Sequence, residues 1–256
     1  MARKQTETRL PAPFLRQIRL RPEKWPAQPD YPFSLPWLHE DFALDFTAPV
    51  TILVGENGSG KSTLIEAMAV LSGFDEAGGG QGYRPVDHSR ALEANGGALS
   101  AALRASWLPK VTRGWFFRAE SFYAVARYLD EAARGGGGSP PDFLSHSHGE
   151  GFLRVFSERM DRQGLYFLDE PESALSPKRQ LELLRQLAAL AERPVAQVIM
   201  ATHSPLLMAV PGAQVLEITR DGLREVDWRD TAHMRLYRQF VFDPEGFLQE
   251  ALEGEI

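Results

Sequence analysis

The stretch "VTILVGENGSGKST", Val50 to Thr63, decides the fold. Val50–Val54 is an unbroken apolar run, the pattern of a strand buried on both faces of a sheet. Gly55–Thr63 follows as GENGSGKST, which fits G-x-x-x-x-G-K-[ST]. Beyond it Leu64, Ile65, Met68 and Leu71 share one face of a helix, so the chain reads strand, glycine-rich loop, helix. That context gives the loop its chemistry. Glycines let successive backbone N–H groups curl around phosphate oxygens, and the helix N-terminus adds the positive end of its dipole. Gly55, Glu56, Asn57, Gly58, Ser59, Gly60, Lys61, Ser62 and Thr63 are therefore candidate nucleotide-binding residues. Lys61 is suited to the β- and γ-phosphates and the Ser62 hydroxyl to Mg²⁺. A nucleoside triphosphate site is the prediction.

Working outward, "LYFLD" (Leu165–Asp169) and "VAQVIMAT" (Val195–Thr202) read as further buried strands, and "QVLEIT-RDG-LREV" as a terminal hairpin. Ser176 and Pro177 supply an N-cap and first residue for a helix carrying Leu181, Leu184, Leu187 and Leu190. Apolar strands alternating with helices predict an α/β fold of the P-loop NTPase kind, with a mainly parallel central sheet covered by helices. A buried strand ending in Asp169 brings that carboxylate to the phosphate loop, where it can hold Mg²⁺ with Ser62. Glu170, one residue on, points elsewhere and is the candidate general base for an attacking water.

Composition narrows the setting. The chain has 256 residues, 43% of them hydrophobic, enough for one large domain with a real core. It has no cysteine, which rules out disulfides and thiolate metal sites and fits a cytoplasmic location. No apolar run reaches the roughly 18 residues of a membrane span, and the charged N-terminus lacks the apolar core of a secretory signal. A net charge of −6 argues against extensive nucleic-acid contacts, although residues 1–24 hold seven Arg/Lys against Glu7 and Glu23. Two glycine-rich stretches, 77–82 and 134–142, read as flexible loops around a region of different texture. One domain, 1–256, with an inserted helical/antiparallel subdomain at 83–150 is expected.

"FLDEPESALSP" (Phe167–Pro177) resembles the Walker B and D-loop of ABC-type ATPases, with Ser173, Ala174 and Leu175 matching the turn and Ser176 replacing its usual aspartate. "ATHSP" (Ala201–Pro205) resembles their switch-histidine motif, which implies that His203 reaches the γ-phosphate of ATP. Lys61, Glu170 and His203 are the catalytic candidates. The family's glutamine before the signature has no counterpart in "GWFFRAESFY" (Gly114–Tyr123); Arg118 and Glu120 are both candidates for its place. Tyr31, Phe33 and Trp37 are candidates to stack on adenine.

"LSHSHGEGF" (Leu144–Phe152) aligns on its serine with the family signature that precedes the helix leading into the Walker B strand. Ser147, His148, Gly149 and Glu150 are then the residues offered to ATP held by another copy of the chain, implying a head-to-tail homodimer formed on ATP binding. His146, His148 and Glu150 could instead be part of a metal site, but three close ligands without a fourth make zinc a poor fit. A polar surface loop is the third reading.

Three roles compete. The first is a soluble ATP-driven switch, with DNA or a protein partner, in a DNA-related or defence/repair process. The second is the nucleotide-binding subunit of an ABC transporter with a separate membrane partner. The third is a P-loop kinase of small molecules, against which the acidic pair, the D-loop-like turn and His203 argue.

Overall fold

In the computed structural model the described residues are 10–80, 96–118, 153, 156–157, 160 and 162–254. Two sheets carry the fold. The larger has seven strands: β3 (Val50–Val54), β4 (Gly79–Gly80), β6 (Gly114–Arg118), β7 (Gly164–Asp169), β8 (Ala196–Ala201), β9 (Gln214–Thr219) and β10 (Gly222–Glu225), in the order β10-β9-β3-β8-β7-β6-β4. Its five central strands are parallel, and an antiparallel strand closes each edge. The smaller sheet is antiparallel, β2-β1-β5, from β1 (Leu15–Leu20), β2 (Ala43–Asp45) and β5 (Leu103–Trp107).

Alternation of side chains along each parallel strand builds two cores from one sheet. Val50, Ile52 and Val54 of β3, Tyr166 and Leu168 of β7, and Val198 and Met200 of β8 face one side. There they meet α3 (Pro177–Glu192) through Leu183, Leu187 and Leu190, and the short α4 (Pro205–Met208) through Leu207 and Met208. Leu53, Phe167 and Ile199 face the other side, against α1 (Lys61–Leu71). Each such leucine or phenylalanine contributes about 1.5–3 kcal/mol by leaving water. The antiparallel sheet and α2 (Gly96–Ala102) lie beyond α1, so α1 is buried nearly all round, from Thr63 to Ala69. The sequence had marked only its Leu64–Leu71 face.

Gln197 of β8 ties the two sheets together. Its buried amide accepts the N–H groups of Phe14 and Leu15, each at 2.8 Å, and donates to the Leu15 carbonyl at 3.0 Å.

Other expectations need adjustment. The core face of α3 is Leu183, Leu187 and Leu190, with Leu184 half-buried and Leu181 38% exposed. The apolar stripe therefore runs through Leu183, because the helix sits on the sheet by its 183–187–190 edge. The loop expected at 77–82 holds β4 instead: the backbone groups of Gly79 and Gly80 pair with β6, which would otherwise leave an open sheet edge. Within the expected insertion 83–150, residues 103–107 join β1 and residues 114–118 join β7. Residues 83–95 and 119–150 lie outside the described residues, Glu120 and Ser147–Glu150 among them. Leu153, Phe156 and Met160, in the stretch expected as a helix before β7, are helical and buried.

Past β10 the chain forms α5 (Ala232–Phe242) and α6 (Pro244–Glu253), neither of which has a buried residue. No described helix is long and apolar enough to cross a membrane.

Candidate nucleotide site

The C-terminal ends of β3, β7, β8 and β9 converge at one edge of the parallel sheet, the place where open α/β sheets receive ligands. The glycine-rich loop, Asp169, His203 and Thr219 end or follow those strands.

The loop's shape depends on glycine where it enters α1. Gly60 caps α1 with φ +89°, and a Cβ there would lie 2.8 Å from Leu35 Cδ1. That is the left-handed region an L side chain rarely enters. Below it Trp37, 1% exposed, donates its indole N–H to the Ser59 carbonyl at 2.6 Å. Trp37 therefore supports the loop from underneath. Phe33 packs edge-on against Trp25 at 5.8 Å, while Tyr31 is half-exposed and its hydroxyl meets Thr63 Oγ1.

Lys61 is buried and folds back over the loop, donating to the carbonyls of Gly55 at 2.8 Å and Glu56 at 3.0 Å. Burial holds its pKa below the usual lysine range, and the carboxylates of Glu170, Asp169 and Glu56 pull the other way. Ser62 Oγ donates to Asp169 Oδ1 at 3.0 Å. A hydroxyl and a buried carboxylate in contact at the loop's end are a fitting donor pair for a hard cation such as Mg²⁺. Ser59 Oγ and His203 Nε2 are buried polar atoms without a hydrogen-bond partner among the described residues, which suits phosphate oxygens nearby.

Arg118 ends β6 in register with Asp169 of β7. Its guanidinium reaches Asp169 Oδ2 at 4.0 Å and pairs with Glu66 of α1 at 2.8 Å. Burial pushes the Glu66 carboxyl up to about 7, against the pull of Arg118. Of the two candidates for the missing glutamine, Arg118 is thus at the acidic pair, and Glu120 lies outside the described residues.

Glu170 sits at φ 47°, ψ 55°, the only described non-glycine residue with positive φ. Holding a side chain there costs about 1–2 kcal/mol. The kink turns Glu170 away from Asp169 and toward the end of β8, where its Oε1 stands 3.7 Å from His203 Nε2.

Three residues here escaped the sequence reading. Glu172 accepts the His203 N–H at 2.6 Å and the Thr202 hydroxyl at 2.8 Å, so the strand-end turn carrying His203 is clamped to the acidic turn after β7. Burial raises its pKa, and those two hydrogen bonds oppose the rise. His233, on the first turn of α5, places its Nε2 2.9 Å from His203 Nδ1. Glu217 of β9 accepts the Ala232 N–H at 2.8 Å and so fixes where α5 begins. Only the fourth letter of "DEPE" hinted at Glu172; no local pattern marks His233 or Glu217. Beside the loop, a cavity of about 500 Å³ opens between residues 55–59, Trp37, the end of β9 and His233.

Two segments match AAA domain models. Residues 142–209 match a family described as "AAA domain, putative AbiEii toxin, Type IV TA system", and residues 35–95 match one described as "AAA domain". The first spans the acidic turn and His203, the second the phosphate loop. No curated protein sequence matches the chain. Among solved structures, CbiO1 from Clostridium perfringens, part of the ABC transporter complex CbiONQ, aligns over 93% of this chain and 100% of its own, with TM-score 0.49 and 12% identity. A structure described as "an inward-facing conformation of a putative metal-chelate type ABC transporter" aligns over 75% of this chain and 77% of its own, with TM-score 0.43 and 19% identity. The mixed α/β fold, with its mainly parallel sheet flanked by helices and the glycine-rich loop between β3 and α1, is of the P-loop NTPase class.

Proposed function

We propose that the chain binds ATP with Mg²⁺ and hydrolyses it to ADP and phosphate as an ABC-type ATPase, in a head-to-tail homodimer formed on ATP. The observation that carries this reading is the convergence of Lys61, Ser62, Asp169, Glu170 and His203: Ser62 meets Asp169 at 3.0 Å, and Glu170 faces His203 at 3.7 Å.

Loop N–H groups and Lys61 hold the β- and γ-phosphates and oppose the charge that develops on them. Ser62 and Asp169 hold Mg²⁺, which supplies further charge neutralisation when bound. Glu170 orients a water in line with the γ-phosphorus and accepts its proton as the phosphorus–oxygen bond to the β-phosphate breaks. His203 donates to a γ-oxygen. Ser147, His148, Gly149 and Glu150 of one copy complete the site of the other, so hydrolysis requires two chains.

The work driven is that of a soluble cytoplasmic switch in a DNA-related or defence/repair process, with DNA or a protein as partner. The match over residues 142–209 to a family described with a type IV toxin–antitoxin system supports the defence arm of that reading.

Glu170→Gln tests it by size-exclusion chromatography with Mg-ATP. The variant is expected to bind ATP, to form a stable dimer and to turn over at least about 100-fold more slowly. A variant that binds ATP and stays monomeric would sink the sandwich dimer. Ser147→Arg is expected to leave binding intact and abolish turnover; normal turnover would remove the signature assignment.

A further inference from the structure

His233 enters the site from α5, 30 residues beyond His203. Its position is built rather than incidental. The buried Glu217 carboxylate takes the Ala232 N–H at 2.8 Å, and the buried Thr231 hydroxyl oxygen caps the helix by accepting the Met234 N–H at 3.3 Å. Arg224 holds Glu217 from its other side, at 2.7 Å.

The two imidazoles meet with ring centroids 5.0 Å apart, and His203 Nδ1 lies 2.9 Å from His233 Nε2. Burial holds both pKa values below the ordinary histidine range, and the Lys61 ammonium pushes the same way. Glu170 and Glu56 pull against this at His203, and Glu56 and Glu217 at His233. Two neutral rings can share one hydrogen only, so the tautomers are coupled.

The other nitrogens decide which way the hydrogen points. His203 Nε2 faces Glu170 Oε1 at 3.7 Å. A bare nitrogen there would set its lone pair against a carboxylate, whereas an N–H is attracted to it. His203 therefore carries its proton on Nε2, its Nδ1 is the acceptor, and His233 donates from Nε2. His233 Nδ1 is then the bare atom, and it is a buried nitrogen with no hydrogen-bond partner among the described residues.

We propose that His233 is a positioning residue: its Nε2–H locks His203 in the Nε2–H tautomer, so that His203 offers a donor to the reacting phosphate. The catalytic half of this statement rests on the ATPase reading above; the tautomer half does not.

The test has two arms on the full chain. The first is ¹⁵N-edited NMR of the imidazoles in the nucleotide-free protein at pH 8. It is expected to show the Nε2–H tautomer in both His203 and His233, with His203 turning to a mixture in His233→Leu. An Nδ1–H form of either ring in the wild type, or an unchanged His203 in the variant, would overturn the proposal. The second is ATPase kinetics on His233→Leu and His233→Gln, whose amide keeps a donor near the Nε2 position. His233→Leu is expected to lower kcat about 10- to 100-fold at unchanged KM and melting temperature, and His233→Gln to restore most of it. Wild-type kcat in the leucine variant, or a glutamine variant as slow as the leucine one while equally folded, would refute it. If the wild type hydrolyses no ATP, the function proposed above fails, and the NMR arm still decides the tautomer.

Discussion

Ser62 Oγ and Asp169 Oδ1 are joined by a 3.0 Å hydrogen bond across 107 residues of chain. One lies in the first turn of α1 and the other ends β7, so the bond exists only because parallel strands deliver both to the same sheet edge. It brings together the two groups that can grip a divalent cation, and it makes the first prediction specific.

Asp169→Asn keeps an oxygen for the Ser62 hydroxyl but removes the charge. The fold should hold, and Mg²⁺-dependent ATP affinity should fall about 10- to 100-fold, the worth of a charge-assisted contact. Titration calorimetry with Mg²⁺ and with EDTA checks it. If the two affinities differ as much in the variant as in the wild type, Asp169 is not a ligand.

Two glycine substitutions separate conformational strain from collision. A Cβ on Gly58, at φ +75°, would meet nothing within 4 Å, whereas one on Gly114, at φ +147°, would lie 1.7 Å from the Leu165 carbonyl oxygen. Gly58→Ala should therefore cost only the backbone penalty, about 1–2 kcal/mol. Gly114→Ala must push β6 off β7 and should cost more than about 4 kcal/mol or abolish folding. Urea denaturation midpoints report both, and equal midpoints would contradict the β6–β7 register.

Glu66 predicts a pH dependence. Its carboxyl is pushed up to about 7 from an ordinary value near 4.5. Because the folded state binds this proton more tightly, stability is lost as pH rises from about 4.5 to about 7, by at most about 3 kcal/mol. Glu66→Gln removes that slope. Its unfolding free energy relative to wild type should rise across the window and level off above pH 7. The difference between a neutral carboxyl and an amide beside Arg118 adds an offset that does not vary with pH, and the pull of Arg118 on the ionised carboxylate is already contained in the shift, so a parallel pair of curves would exclude the elevated pKa.

What could be read from the chain and what could not divide along a physical line. Val50–Lys61 is legible because strand, loop and helix are contiguous: apolar pattern, glycine spacing and lysine all act within twelve residues. Asp169 and Glu170 are legible because a buried strand ending in acids is a local pattern too. Leu187 and Leu190 were on the predicted stripe of α3, yet Leu181 is exposed and Leu183 is buried, because a periodicity shows which residues share a face and not where the sheet presses on it.

The rest depended on strand order. Gln197 can be buried because Phe14 and Leu15, at the start of β1, supply three backbone partners for it, and nothing near position 197 announces that. Arg118 meets Asp169 because β6 and β7 are neighbours in register, and Glu66 joins them because α1 packs across that end of the sheet. His233 reaches His203 only because β9 lies beside β3 and its Glu217 anchors the start of α5. Local spacing specifies a glycine-rich loop and an acidic strand end, since each is made of neighbouring residues. Which carboxylate, arginine or second histidine stands beside them is decided by tertiary packing, since hydrogen bonds and ion pairs act over a few ångströms whatever the separation along the chain.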